Sequence, residues 1–426
     1  MKPTSLGVLA LLAACSSSTS PGGGSNGSLT LTITAPAGMD GRVTVLGPNG
    51  YRGTVAANGP FPENVVIAAL EPGSYTIFPG AGTSTDPIVG VGYAGTVTGS
   101  PLAIPAGGTA TATVIYASPY AAAGVLWVAS ASSNRLSGFS SAQLAATGAP
   151  VPAVTVGNGS GSGAVPNPSD VAVDATGGVW VSNLGDSLRY FTAAQVAASG
   201  NPTPTRRLIS TSITSITAVA VDAAGDVWVA DQFGNKVFEF SAAQAAAGGT
   251  VTPVVTISPV LGAIDRPFDM LFDRAGDLWV VNYHGNSVVG YSPAQLAVTG
   301  SPVPFAAVSN SHGTTAPLGA AFDAGGNLWV VSIADTIAKF NASDLTTVGT
   351  PAPAVVITGS QLNAPIAAAF DNSGALWVSN YQGNTLLRYT ASQLAASGAP
   401  TPAVKISAAS SSLAQPSGMV FSPGTP

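Results

Sequence analysis

The stretch Pro267-Phe-Asp-Met-Leu-Phe-Asp-Arg-Ala-Gly-Asp-Leu-Trp-Val-Val-Asn282 contains the pattern that decides the fold of this chain. An apolar run ends in an aspartate, a glycine-containing turn follows, and a second apolar run carries a tryptophan. Short apolar runs separated by turn residues predict two antiparallel strands. Similar stretches recur along most of the chain, so this segment predicts one unit of a repeat.

The six tryptophans of the chain mark the repeats. They lie 53, 48, 51, 50 and 48 residues apart, at Trp127, Trp180, Trp228, Trp279, Trp329 and Trp377. A period near 50 with several strands in each unit is typical of a β-propeller and not of a helical solenoid. We therefore interpret the tryptophans as core residues packed between sheets and not as a stacking platform for a ligand.

Each unit continues after the tryptophan strand with further signals. A third strand carries an aromatic residue, and a fourth follows a Pro-x-Pro segment. Between these two strands lies a capping box such as Ser241-Ala-Ala-Gln244, which predicts a short helix in the unit. Glycines at the ends of these segments predict helix stops in the left-handed conformation, at Gly200, Gly248, Gly300 and Gly398. The aspartate that ends the first strand recurs in nearly every unit, which predicts a structural turn acceptor.

The two ends of the repeat array complement each other. The first unit enters at Gly124-Val-Leu-Trp127 without the strand that should precede it, and residues Gln415 to Ser422 have the pattern of that strand. The sequence therefore predicts an all-β fold with a six-bladed β-propeller over residues 118–426, in which the C-terminal strand closes the first blade and leaves no exposed sheet edge.

Residues 29–117 predict a separate small β-domain. Leu29-Thr-Leu-Thr-Ile-Thr34 alternates with a period of two, and further short strand-like runs are separated by Gly and Pro turns, which predicts a β-sandwich. The runs Leu70 to Ile77 and Ala106 to Val114 resemble transthyretin-like or PEGA-type modules found beside lipoprotein anchors. We interpret this domain as a spacer.

The N-terminus predicts export and a lipid anchor. A basic Met1-Lys2 precedes an apolar run of nine residues, too short to span a bilayer, so residues 1–14 are predicted to be a signal peptide. It ends in Leu12-Ala-Ala-Cys15, which resembles the lipobox of bacterial lipoproteins. The resemblance implies lipidation of Cys15 and attachment to a membrane of the bacterial cell envelope. Ser16 in place of an aspartate implies the outer membrane. Residues 15–28 are predicted to form a flexible Gly/Ser tether.

The amino-acid composition excludes some classes of partner and cofactor. The chain has 13 basic and 19 acidic residues, which does not provide the positive surface that a nucleic-acid-binding protein needs. The single cysteine rules out an intrachain disulfide and a cysteine-built metal site. We expect a monomer without a cofactor.

The unit motif resembles a known group of proteins. Pro-x-x-[apolar strand]-Asp-x-x-Gly-x-[Leu/Val]-Trp-Val-x-[Asn/Asp], as in Pro365 to Asn380, is similar to NHL-repeat and SMP-30/gluconolactonase-like six-bladed propellers. The enzymes of that group hold a divalent metal on acidic and amide residues where the inner strands begin. At those positions this chain has Ser169, Thr217, Phe268, Leu318, Ile366 and Ser417. None is a carboxylate or an amide, so the metal site of the family does not carry over.

Ligands of propellers normally lie over the central channel, where the inner strands begin. The candidate residues there are Asp170, Asp269, Asp231, Gln232, Tyr283, His284 and Tyr381. Asp170 and Asp269 either hold a hard divalent cation or cap strand ends beside a water-filled channel. Aromatic residues at a propeller mouth suit carbohydrate or peptide contact.

The functional prediction has two forms. The first is a lipid-anchored envelope protein whose propeller is a non-catalytic binding or scaffolding module for protein or carbohydrate partners. The alternative is a metal-dependent lactonase, hydrolase or lyase of the SMP-30/gluconolactonase-like type. We assign no catalytic residue.

Overall fold

The computed structural model describes residues 25–34, 39–57, 62–79, 83–84, 95–98, 100–116, 124–161, 163–185, 187–258, 262–309, 315–407 and 411–422. Strands account for 49% of the chain and helices for 5%, which confirms the predicted all-β class. Cys15 and the predicted signal peptide lie outside the described residues. Among the described residues, no helix is long and apolar enough to cross a membrane.

The N-terminal strands form a small β-sandwich. One sheet contains Glu63–Leu70, Gly27–Thr34, Thr109–Tyr116 and Gly95–Thr98, in that order. The other contains Arg52–Ala57, Met39–Leu46, Gly73–Pro79 and Leu102–Ile104, with Thr83–Ser84 beside Met39–Leu46 and a 3-10 turn at Pro48–Gly50. Alternate residues of the first strand are buried, as its period of two predicts. Because that strand begins at Gly27, where Gly27 pairs with Leu70, the predicted tether ends two residues earlier than the sequence suggested.

The rest of the described chain forms six antiparallel sheets, the blades of a β-propeller. We number the blades by their tryptophans, from Trp127 in blade 1 to Trp377 in blade 6. The inner strands of blades 1 to 6 are Pro416–Phe421, Pro168–Val173, Ile216–Val221, Pro267–Phe272, Pro317–Phe322 and Pro365–Phe370. The tryptophan strands are Leu126–Ser130, Val179–Asn183, Val227–Asp231, Leu278–Asn282, Leu328–Ser332 and Leu376–Asn380.

Two further strands complete each blade. The third strands are Arg135–Phe139, Ser187–Phe191, Lys236–Phe240, Ser287–Tyr291, Thr336–Phe340 and Thr385–Tyr389. The outer strands are Val154–Val156, Arg206–Ile209, Val255–Ile257, Ala306–Ser309, Val355–Ile357 and Val404–Ser407. Short pieces Gly249–Thr250 and Val348–Gly349 add to the outer edges of blades 2 and 4, and a 3-10 turn at Ser411–Leu413 precedes the last strand.

The repeated aspartate organises the turn between the first two strands. In blade 4, Asp273 Oδ1 accepts hydrogen bonds from the backbone N–H groups of Ala275 and Asp277, and Oδ2 accepts from the indole N–H of Trp279 at 2.9 Å. The same indole bond forms in blades 3, 5 and 6. The prediction of a structural turn acceptor is confirmed. Because the same carboxylate binds both the turn and the indole, aspartate and tryptophan recur together.

Aromatic rings join neighbouring blades. Each of Trp228, Trp279 and Trp329 meets a phenylalanine from the end of the next inner strand edge to face, with ring centroids 5.8 to 6.0 Å apart. All six tryptophans are buried, as the prediction of a core role requires. Edge-to-face pairs of this kind contribute roughly 0.5–1.5 kcal/mol beyond the area that they bury.

The predicted short helices form only in part. α-Helices occur at Ala242–Ala247 and Pro293–Leu296 and a 3-10 helix at Ala342–Leu345, while the other three units have turns. In blade 6 the capping box forms but supports only one i→i+4 bond, from Leu394 to Thr390, because the chain then leaves for the next strand.

The prediction of left-handed stop glycines is wrong at Gly200, Gly300 and Gly398. Gly248 has a positive φ of 66°, but its ψ of −164° lies outside the left-handed helical region. Gly200, Gly300 and Gly398 instead form parallel bridges to the outer strand of the preceding blade. Equivalent pairing occurs at all six blade junctions, including that between Gly148 of blade 1 and Ile406 of blade 6. The next blade thus covers each outer edge, so charged residues that would guard a free edge are unnecessary.

The C-terminal strand belongs to the first blade. Pro416–Phe421 pairs antiparallel with Leu126–Ser130, and Gln415 donates its backbone N–H to Asn384 of blade 6 at 2.8 Å. Each inner strand contacts the inner strands of the two neighbouring blades, and this cyclic order includes Pro416–Phe421 between blades 6 and 2.

Candidate functional site

A β-bulge opens every inner strand. In blades 2 to 6 the register with the tryptophan strand shifts between the first and third residues, for example between Pro267 and Asp269. In blade 1 it shifts between Pro416 and Met419. The extra residue is the one at which the resembling enzymes place their metal ligands. A bulge redirects a side chain away from the regular alternation of the strand. We call these six positions the bulge ring: Ser169, Thr217, Phe268, Leu318, Ile366 and Ser417.

The bulge ring has a polar half and an apolar half. In blades 1 to 3, Ser417, Ser169 and Thr217 donate their hydroxyls to the first carbonyl of the next inner strand, at 2.8 to 3.3 Å. In blades 4 to 6, Phe268 packs with the buried Leu318 and Ile366 in one apolar cluster. Neither half offers metal-binding oxygen or nitrogen in a free position, so a divalent metal of the gluconolactonase-like kind does not fit here.

The next residues of the inner strands form a second level of the ring, and Asp170, Asp269 and Ala367 of this level line the central channel. We call this level the lumen ring: Asp170, Ala218, Asp269, Gly319, Ala367 and Gly418. The two aspartates are its only large members. Each accepts a hydrogen bond from the inner strand of the following blade, Asp170 from Val219 N–H at 3.0 Å and Asp269 from Ala320 N–H at 2.9 Å. The carboxylates thereby pair N–H groups on the free edges of those strands.

Both lumen carboxyls are surrounded by protein, although each touches the narrow channel. This burial raises the pKa of Asp170 to about 7, against the lowering effect of its backbone hydrogen bonds. Burial, together with the nearby charge of Asp170, raises the pKa of Asp269 to about 8. Desolvation disfavours the charged form of an acid, and a second carboxylate disfavours it more.

The channel between the blades forms a cavity of about 440 Å³. Its lining begins at Asp170 and Asp269 and continues along Ala and Val residues to the turns at the far ends of the inner strands. No bulge-ring residue lines it. The cavity therefore lies on the side of the lumen ring away from the loops where we predicted the ligand to bind.

The loops after the tryptophan strands form the other face. In each blade the first loop residue donates its backbone N–H to the carbonyl of the residue before the inner strand, which fixes its position. We call these residues the loop ring: Ala131, Leu184, Gln232, Tyr283, Ile333 and Tyr381. Three of the predicted site residues, Gln232, Tyr283 and Tyr381, are thus equivalent positions on one face.

Blades 4 to 6 present an apolar sector on this face. It consists of Tyr283, Ile333 and Tyr381 of the loop ring with Phe268, Leu318 and Ile366 of the bulge ring. Both tyrosines are half-buried and pack against the cluster that contains Leu318 and Ile366, while Ile333 is 39% exposed. The loops of blades 2 and 3 add Leu184 and Phe233, which are 44% and 62% exposed. Ile333 and Phe233 were not among the predicted site residues, because the residue type at their loop positions varies from blade to blade.

His284 lies at the tip of the blade 4 loop and is exposed. Its Nδ1 is 2.7 Å from Asp265 Oδ2. On the adjoining loop, the Arg266 guanidinium lies over the Phe233 ring at 5.7 Å. The side-chain partner of His284 is thus a carboxylate, and the pair forms an exposed polar group on this face.

Asp231, the remaining predicted site residue, is fully buried. Its carboxylate accepts from Thr214 N–H, Thr214 Oγ1 and Ser215 N–H at 2.7 to 3.1 Å. Asn282 and Asn380 hold the corresponding loops of blades 4 and 6. The structure therefore places Asp231 in the wall of blade 3 and not at the channel mouth.

The turn asparagines join the blades on the same face. Asn286 has a left-handed φ of 47°, and its Oδ1 accepts from Ala316 N–H of the next blade at 2.7 Å. The same kind of bond, with a side-chain Oδ1 as the acceptor, recurs at four other junctions, at Asn134, Asn235, Asp335 and Asn384. The sequence predicts the positive φ of Gly-Asn turns but not this second role.

The predicted residues therefore form two separate groups. Gln232, Tyr283, His284 and Tyr381 share the loop face, whereas Asp170 and Asp269 line the cavity. Within the described part of the chain, no group of three or more His, Cys, Asp or Glu side chains is arranged to bind a metal ion.

Comparisons with known proteins give similarities of fold. No protein-family model matches the chain, and no curated protein sequence matches it. Similar solved structures include a streptogramin B lyase, 15% identical, with 60% of this chain and 76% of that chain covered and a TM-score of 0.41. A protein of unknown function from Bacteroides caccae is 13% identical, with 71% and 100% covered and a TM-score of 0.48. Virginiamycin B lyase from Staphylococcus aureus is 16% identical, with 60% and 77% covered and a TM-score of 0.39. At these identities no functional residue is transferred.

Proposed function

We propose that this chain is a lipid-anchored protein of the bacterial cell envelope whose propeller is a non-catalytic binding module for a protein or carbohydrate partner. The N-terminal sandwich is the spacer between the lipid on Cys15 and the propeller. The observation that carries the binding proposal is the apolar sector of the loop face. There, blades 4 to 6 have large apolar or aromatic residues both in the bulge ring and in the loop ring, unlike blades 1 to 3.

The composition of this sector favours a weakly charged ligand. Tyr283 and Tyr381 present aromatic rings with polar hydroxyls, and Gln232 and Gln382 add amides that both donate and accept. Aromatic side chains lose little conformational entropy when they bind, and they dominate contact energies in binding sites. The exposed His284–Asp265 pair supplies a polar edge on blade 4.

The enzymatic alternative has less support. A lactonase, hydrolase or lyase of the gluconolactonase-like type needs a metal where the inner strands begin, and the bulge ring supplies hydroxyls already donated to carbonyls or apolar groups. Asp170 and Asp269 are the remaining candidates. A thermal shift with Ca²⁺, Mg²⁺ or Zn²⁺ that Asp170→Asn with Asp269→Asn abolishes would favour the enzyme over the binding module.

Binding is tested with the full chain on arrays of neutral oligosaccharides and of peptides. We expect Tyr283→Ser with Tyr381→Ser to weaken the strongest signal by roughly tenfold or more, since aromatic anchors contribute about 1–2 kcal/mol or more each. The matched control is Val303→Ser, because Val303 is 65% exposed on an outer segment away from the loop face. Equal binding by wild type and the double tyrosine variant would refute a ligand site on this face.

The anchor is tested separately by fractionating cells. We expect the wild-type chain in the membrane fraction with a mass increase at Cys15, and Cys15→Ser in the soluble fraction. An unmodified cysteine would contradict the lipid anchor and leave the loop-face proposal to its own test.

A further inference from the structure

The central cavity differs from a simple water-filled channel in its shape and lining. The lumen ring forms one end, and the turn residues Ala324, Asn372 and Gly374 lie at the other, which we call the turn face. Near the turn face the lining includes Phe272, Phe322, Phe370 and Phe421. A volume of about 440 Å³ falls in the range of small-molecule sites, which are mainly apolar with a few placed polar groups.

We propose that this cavity binds a small organic cation, an apolar body with one ammonium group, which enters from the turn face and places the ammonium between Asp170 and Asp269. This site is distinct from the loop-face site and does not depend on it.

The lining gives these carboxyls no basic partner. Among the residues that line the cavity, none is lysine, arginine or histidine. The one other acid in the lining, Asp371, is paired with Arg388 at 2.8 Å. Two carboxyls without a basic partner in the lining thus face the space where a cation would lie, and buried charges require such pairing.

The lumen ring is shaped around the two acids. A Cβ atom on Gly418 would lie 2.0 Å from Asp170 Oδ1, so a larger residue there would displace the carboxyl. One oxygen of each aspartate accepts a backbone N–H from the next blade. The other oxygen of Asp269 accepts the N–H of Met270 at 2.7 Å. A carboxylate has about four acceptor positions, so each aspartate keeps capacity for an ammonium, which has three donors.

The same geometry favours an organic cation over a metal ion. Calcium takes 6–8 oxygen ligands, and the other four lumen-ring residues, Ala218, Gly319, Ala367 and Gly418, have no side-chain oxygen. In blade 4 the inner strand continues three residues beyond Asp269 to Phe272, about 10 Å at the rise of a strand. An ammonium joined to a phenyl ring by a short alkyl chain spans that distance.

The test measures binding of 4-phenylbutylammonium and of its neutral counterpart, 4-phenylbutanol, to the full chain by calorimetry at mildly alkaline pH. We expect the ammonium to bind roughly tenfold or more tightly than the alcohol, a difference of about 1.4 kcal/mol. Asp170→Asn with Asp269→Asn should remove this preference. Because an asparagine oxygen still accepts the backbone N–H bonds, a purely structural role would leave probe selectivity unchanged.

Two further variants make the result specific. Glu71→Gln removes an exposed acid of the N-terminal sandwich and should keep the ammonium preference. Ala369→Leu narrows the cavity and should weaken both probes, with its melting temperature checking the fold. Equal affinity for the two probes, no binding of either, selectivity retained in the double asparagine variant, or competition by Ca²⁺ at low concentration would each overturn the proposal.

Discussion

The two lumen carboxyls should make the stability of the propeller fall as pH rises through neutrality. Folded-state pKa values of about 7 for Asp170 and about 8 for Asp269 exceed the ordinary value of 3.8, so the native protein retains protons that the unfolded chain has released. Stability then decreases with pH, by up to about 1.4 kcal/mol per pH unit for each carboxyl, until the folded-state pKa is passed. The other charged groups beside this cavity are Asp371 and its partner Arg388.

We expect the total effect to be smaller than that limit, because polar groups as well as apolar side chains line the cavity and reduce the penalty for ionisation. We expect a loss on the order of 3 kcal/mol between about pH 5 and about pH 8, which corresponds to a fall in melting temperature on the order of 5–10 °C. Thermal unfolding across this range is compared between wild type and Asp170→Asn with Asp269→Asn.

That comparison isolates the contribution of Asp170 and Asp269 to the pH dependence of stability. Burial and the charges of Asp226 and Asp222 raise the pKa of Glu239 to about 7, and burial with the charge of Asp273 raises the pKa of Asp277, so both acids add to the slope of either protein. The double variant should lose only the part due to Asp170 and Asp269. Parallel curves for the two proteins would refute the assignment of buried, largely neutral carboxyls.

Two substitutions test the junctions between blades. Asn286→Ala should lower the free energy of unfolding by about 1–3 kcal/mol, because it removes the bond to Ala316 N–H and places alanine at a left-handed φ. Asn286→Gly should lower the free energy of unfolding by less, since glycine adopts the left-handed φ without strain and only the hydrogen bond is lost. Equal urea midpoints for the two variants would contradict this. Gly319→Ala would place a Cβ 2.2 Å from the Ile366 carbonyl oxygen and should destabilise by about 1–3 kcal/mol. At Gly300 no atom lies within 4 Å of the added Cβ, so Gly300→Ala is the control, and an equal midpoint for both alanine variants would count against close packing of the inner strands.

The blade repeat could be predicted because each part of it has a local cause. The aspartate, the turn glycine and the tryptophan lie within one short segment, and their hydrogen bonds are made within that segment. The pattern of Gln415 to Ser422 could be matched to the missing strand for the same reason. Local signals predicted the short helices less well, because a capping box determines where a helical turn begins and not how many residues continue it.

The arrangement of the candidate site could not be predicted. A bulge adds one residue to an inner strand without changing the apolar character of that strand. The sequence therefore does not reveal that Asp170 lies on the cavity side of the bulges and Tyr283 on the loop side. Burial of Asp231 depends on donors from the preceding loop, Thr214 and Ser215, whose approach is a tertiary feature. The role of Gly200 depends on pairing with another blade, which no local rule describes.

The loop-face site takes residues from blades 4 to 6, and the cavity is lined by the inner strands of all six blades, so both proposed binding sites depend on the blades forming one ring. The most direct test is the melting temperature after deletion of residues 415–426, with deletion of residues 423–426 as the matched control. Loss of Pro416–Phe421 would leave Leu126–Ser130 with an unpaired edge and remove Gly418 from beside Asp170. We predict a fall of roughly 10 °C or more for the long deletion and little change for the short one. An unchanged melting temperature in the long deletion would contradict the ring.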